Sequence, residues 1–137
     1  MMSIKIRKPK SVSMTFREFN MPAEEVARLA GVTPELFGNQ GEPKRPGSKT
    51  LLNKSYVIFS KNLPEDSDMA KDLSFFLSEL GGVEKIMHMK EVINPKFIEF
   101  NFYLPSRTSE TIQDGYLSYE NIEAMYNLKA TIGFNYF

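Results

Sequence analysis

Residues 96–104, KFIEFNFYL, place Ile98, Phe100, Phe102 and Leu104 at every second position, with Glu99, Asn101 and Tyr103 between them. A repeat of two is the period of a β-strand, whose successive side chains point to opposite faces. The run predicts a strand with one apolar face, bounded by Pro95 and Pro105. Residues 130–137 repeat the design, with Ala130, Ile132, Phe134 and Tyr136 alternating with Thr131, Gly133 and Asn135. These two strands are expected to be neighbours at the centre of one sheet. Val12, Met14 and Phe16 alternate with Ser13, Thr15 and Arg17 and predict a third strand. SYVIFS, residues 55–60, is almost continuously apolar and predicts an interior strand.

Helical spacing replaces alternation between these runs. Pro22 suits a first helical position, Glu24 and Glu25 suit the first turn, Val26, Leu29 and Ala30 supply the buried stripe, and Gly31 the left-handed stop. Met69, Leu73, Phe76, Leu77 and Leu80 form the clearest helical stripe, opened by Asp66, Ser67 or Asp68 and closed by Gly81-Gly82. Residues 83–93 fit a short helix or a strand, and the helix is taken. Ser118 is an N-cap for a last helix carrying Ile122, Met125 and Tyr126. Residues 105–115 read as a polar surface loop.

Residues 33–54 break both periods. They hold three prolines and three glycines, with Lys44, Arg45, Lys49 and Lys54 against Glu35 and Glu42. A loop this long in a small domain is either a working surface or an inert insertion. The order is β-α-loop-β-α-α-β-α-β. It predicts an α+β fold: a single open, mostly antiparallel sheet of four or five strands with two to four helices packed on it, ferredoxin-like in outline. A faint echo between residues 12–31 and 97–128 fits a duplicated half-domain.

At 137 residues the chain has material for one domain, expected over residues 11–137. Residues 1–10 form a basic extension or edge strand carrying Lys5, Arg7, Lys8 and Lys10. Formal net charge is zero, so no overall field steers the molecule toward nucleic acid or anionic membrane. The chain has no cysteine, which removes disulfides, thiolate nucleophiles and cysteine-ligated metals. No run approaches the ~20 apolar residues of a membrane span. A cytoplasmic protein is expected.

No catalytic constellation stands out. His88 is the only histidine and reads as a surface or half-buried residue. Glu65, Asp66 and Asp68 read as helix-opening carboxylates rather than a cation loop, and Glu120 and Glu123 likewise. The exposed face of the central strand would show Phe97, Glu99, Asn101 and Tyr103, and Glu99 is a poor neighbour for phosphate. The eleven phenylalanines and eight methionines are read as core. No cofactor, metal or catalytic residue is expected.

Leu29, Gly31 and Pro34 form a Leu-x-Gly-x-x-Pro turn. Gly41-Glu42 and Tyr56 at the head of SYVIFS follow, then a leucine-rich helix at 73–80 and a closing helix–strand pair at 118–137. In this order of elements the chain resembles a family of small bacterial α+β proteins known only as a domain of unknown function. The resemblance implies a bacterial or phage origin and no assigned chemistry, and some members look like immunity proteins that neutralise a toxin by binding it. It carries over no functional residues.

The leading expectation is a protein-binding module, of immunity or accessory type. Its surface would be the 35–54 loop with Glu42, Lys44, Arg45, Lys49 and Lys54, and the adjacent sheet edge. One alternative is nucleic-acid binding through Lys5, Arg7, Lys8, Lys10, Lys44, Arg45 and Lys49. Another is a small-molecule binder or enzyme with a pocket under the 35–54 loop.

Overall fold

The computed structural model describes residues 9–105 and 115–137. Its elements are β1 (Ser11–Arg17), α1 (Ala23–Ala30), β2 (Leu36–Gly38), β3 (Tyr56–Asn62), α2 (Met69–Glu79), α3 (Val83–Ile93), β4 (Phe97–Leu104), α4 (Tyr119–Leu128) and β5 (Thr131–Tyr136). The α+β class and the open, mostly antiparallel sheet are as expected. Residues 83–93 are helical, and residues 36–38 add a short strand inside the stretch read as loop.

The sheet order is β2-β3-β1-β4-β5. β1 pairs antiparallel with both β3 and β4, β2 pairs antiparallel with β3, and β5 runs parallel to β4. The expected central pair is therefore corrected. β4 and β5 are neighbours, but β1 holds the centre and β5 an edge. A parallel return needs a crossover, and α4 carries the chain from β4 to the far side of that strand. β1 suits the centre because its residues on the helix side are large and apolar and those on the open face are small. Val12, Met14 and Phe16 are buried under helices, while Ser13 and Thr15 on the opposite face are small enough to sink between neighbouring strands.

One sheet face carries the core. Val12, Met14, Phe16, Val57, Phe59, Ile98, Phe100, Phe102 and Leu104 join buried residues from all four helices in one cluster. At about 1.5–3 kcal/mol for each large side chain buried, this face dominates the stabilisation. Phe76 of α2 meets Phe100 edge to face, with ring centroids 6.4 Å apart.

Helix ends are satisfied by identifiable chemistry. Asp68 caps α2, its carboxylate accepting from the N–H groups of Ala70 and Lys71. Ser118 caps α4 in a reciprocal capping box with Asn121. Asn121 is 1% exposed, and its amide also donates to Ser74 Oγ at 3.0 Å, so this buried polar side chain is satisfied. α3 serves its neighbours from both ends. Lys85 Nζ donates to the Ala30 carbonyl at the end of α1, and Lys90 Nζ to the Leu128 carbonyl at the end of α4. Both ammonium groups sit where helix dipoles favour positive charge.

One further expectation is refined and another changes. α4 buries Asn121, Ala124, Met125 and Leu128, so of the three residues that marked this helix Met125 enters the core while Ile122 and Tyr126 face outward. Lys10 is not part of a solvated basic arm. It is 4% exposed, with Nζ donating to Ser67 O at 3.0 Å and Ser67 Oγ at 3.2 Å, and lying 4.0 Å from Asp72. Lys5, Arg7 and Lys8 lie outside the described residues, as does most of the expected polar loop at 105–115.

Candidate partner-binding surface

The stretch after β2 is a built hairpin rather than an irregular loop. Pro43 and Leu51 form a bridge, flanked by backbone bonds from Lys44 N–H to Thr50 O and from Leu52 N–H to Glu42 O. Two tight turns shape it. Glu42 N–H reaches back to Asn39 O around Gly41, and Ser48 N–H to Arg45 O around Pro46-Gly47. Gly41 and Gly47 have φ of 89° and 79°, which side chains with a Cβ adopt poorly, and proline before Gly47 favours a type II turn.

The base of this finger is fixed by three polar residues. Asn39 Oδ1 accepts the Ala23 N–H at 2.7 Å, capping α1 where Pro22 offers no side-chain bond, and Asn39 Nδ2 donates to the Glu24 carboxylate. The buried Ser55 Oγ accepts the Gln40 N–H at 2.9 Å. Glu42 accepts the Asn39 N–H at 2.6 Å. Asn39→Ala is therefore expected to cost about 1–2 kcal/mol in denaturant unfolding, and to speed amide exchange in residues 40–52 more than in β1. Unchanged exchange in the finger would show that Asn39 does not anchor it.

The five residues singled out on this stretch divide by role. Lys54 pairs with Glu18 at 3.3 Å, fastening the outgoing stem to the end of β1. Glu42 is turned into the finger's own backbone. Lys44, Arg45 and Lys49 are exposed and crowd the six-residue tip, where no acid intervenes. Sequence reasoning missed the apolar part of this surface. Leu51 is 52% exposed beside the basic tip, while Leu36 and Phe37, 54% and 42% exposed, lie on β2 ahead of the finger and point to opposite faces of that strand. It also missed Asn39 and Ser55, whose only signal was their place at the two ends of a Pro/Gly-rich run.

Two hollows stand out among the described residues, the first of them against the finger. One, of about 670 Å³, lies at its base among Phe19, Asn20, Met21, Pro22, Asn39, Gln40, Gly41 and Ser55. This is the place of the expected pocket, and its lining contains no ionisable side chain. The other, of about 430 Å³, is a groove on the uncovered sheet face, floored by Ser13, Thr15 and Ser60 and flanked by Arg17, Asn101 and Tyr103. Arg17 Nε donates to Glu99 Oε2 at 3.0 Å across that face.

His88 is exposed on α3. Among the described residues no three His, Cys, Asp or Glu side chains cluster as a metal site would require, and no helix is long and apolar enough to cross a membrane. At the exposed start of α1, the hydrogen bond from Arg28 holds the Glu25 carboxyl below its ordinary value. No protein family, curated protein or solved structure matches the chain.

Proposed function

We propose that the protein is a non-enzymatic protein-binding module, of immunity or accessory type, and that the finger is its contact surface. The observation that carries this reading is a braced hairpin whose all-basic tip stands beside exposed Leu51, on an edge strand that also exposes Leu36 and Phe37. A rigid support lowers the ordering cost of association, and apolar contact area beside complementary charge is what protein interfaces combine. The chemistry calls for a partner with an acidic rim around an apolar pocket. Nucleic-acid binding fits less well, because Lys10, one of the basic set that reading required, is sequestered.

The test is affinity capture from the native host after nuclease treatment, comparing the wild type with K44E/R45E/K49E. The wild type should recover a protein partner near one-to-one, and the variant at least about tenfold less, since rim charges of one sign steer and hold the complex. Equal recovery by the variant contradicts the assignment. So does captured material that disappears on nuclease treatment.

A further inference from the structure

The two edges of the sheet are finished differently. At one side β2 is only three residues long and runs straight into the basic finger, a short and charged ending that discourages further pairing. At the other side β5 is six residues, TIGFNY, with no proline, lysine, arginine or carboxylate. Among the described residues nothing pairs with its outer edge. Its helix-side face is also incompletely covered. Phe134 stacks on Phe102 with centroids 5.9 Å apart, yet remains 43% exposed, and Tyr136 is 66% exposed.

α4 extends this surface. Tyr119, Ile122 and Tyr126 form a stripe at i, i+3 and i+7 and are 74%, 58% and 80% exposed. A crossover between parallel neighbouring strands runs right-handed. With Asn121, Ala124, Met125 and Leu128 turned inward, that sense turns the Ile122 edge of the stripe toward β5, Tyr119 and Tyr126 pointing more nearly away from the sheet, and leaves Glu120 and Glu123 on the other flank. An open strand edge and an apolar helix edge thus adjoin.

We infer that this edge binds a second copy of the chain, β5 against β5, joining two five-stranded sheets into one continuous sheet. A two-fold axis normal to the sheet pairs the strands antiparallel and keeps both helix layers on one side. Each β5 then faces its own sequence, and an uncharged strand meets no like charge in doing so. The two rows of Ile132, Phe134 and Tyr136 merge, and the Ile122 edges of the α4 stripes face one another across the seam. The exposed parts of Tyr119, Ile122, Tyr126, Phe134 and Tyr136 offer at most about 600 Å² per copy, on the order of 200 Å² for a whole aromatic side chain. The backbone edge adds to this, which approaches the roughly 800 Å² per partner of a standard-sized interface. The finger lies at the opposite sheet edge and stays free in such a dimer.

Sedimentation equilibrium tests the inference. The wild type should reach twice 15.7 kDa below about 100 μM. Tyr126→Glu and Tyr136→Lys should each weaken self-association at least about tenfold, and together give a monomer with unchanged far-UV circular dichroism. Both positions are more than half exposed, so neither substitution disturbs the core. Because the chain has no cysteine, a spin label on Asn135→Cys reads the seam alone and should report one short inter-copy distance. A wild type that is monomeric at about 100 μM overturns the inference. A dimer indifferent to both substitutions, a label pair too distant to share a seam, or a different protein seated on this edge while the free chain is monomeric does the same.

Discussion

Phe100→Ala should lower the unfolding free energy by about 3–5 kcal/mol, the cost of emptying a closely packed aromatic site. In a domain of this size that is a fall in melting temperature of roughly 10–15 °C. Phe100 has no exposed surface, sits on the strand beside the central one, and meets Phe76 edge to face. Phe134→Ala, on the same sheet face at the edge, should cost only about 1 kcal/mol, since that ring is already 43% exposed and loses one stacked neighbour. Thermal and urea melts of the two variants measure the difference. Equal losses would mean that the core does not end where β4 meets β5.

Lys10→Ala should be nearly as damaging, at about 3 kcal/mol. The substitution removes a buried ammonium together with the partner it supplies to Ser67 and Asp72, and breaking such a site from one side leaves its polar groups uncompensated. Lys10→Met retains the packing of the aliphatic stem and should lose less. Because Lys10 ties the start of β1 to the turn before α2, the damage should appear as cooperative destabilisation in urea melts. A solvated basic arm would instead tolerate either change within about 0.5 kcal/mol. That small effect would return Lys10 to the exposed basic set and strengthen the nucleic-acid alternative.

Periodicity made most of the scaffold legible. The period-two runs at 12–16 and 98–104 and the stripe from Met69 to Leu80 each require one buried face, and each is buried as its spacing dictates. The order of strands was not legible. Alternation tells which face a strand buries but not who its neighbours are, so the two most aromatic strands were placed at the centre. The sheet instead centres on β1, whose Ser13 and Thr15 sink between the flanking strands on the uncovered face. α4 was legible only in part for a related reason. Its Ile122 and Tyr126 marked the helix without marking its buried face, which includes Asn121, a polar side chain made acceptable by Ser118 and Ser74.

The finger was recognised as a candidate surface from charge and length, but its order was not. Its rigidity depends on contacts far apart in sequence, from Asn39 to Ala23 and from Lys54 to Glu18. Neither can be read from local propensity. Position alone also could not separate Lys54, which is used in bracing, from Lys44, Arg45 and Lys49, which are presented to solvent.

The most direct measurement of the central claim is photo-crosslinking in the native host. A photoreactive residue would be placed at Lys49 on the finger tip, and in a control at Glu91 on the exposed side of α3. The account predicts one discrete protein adduct from position 49, resistant to nuclease and missing from position 91. No protein adduct at the tip, or the same adducts from both positions, would contradict it.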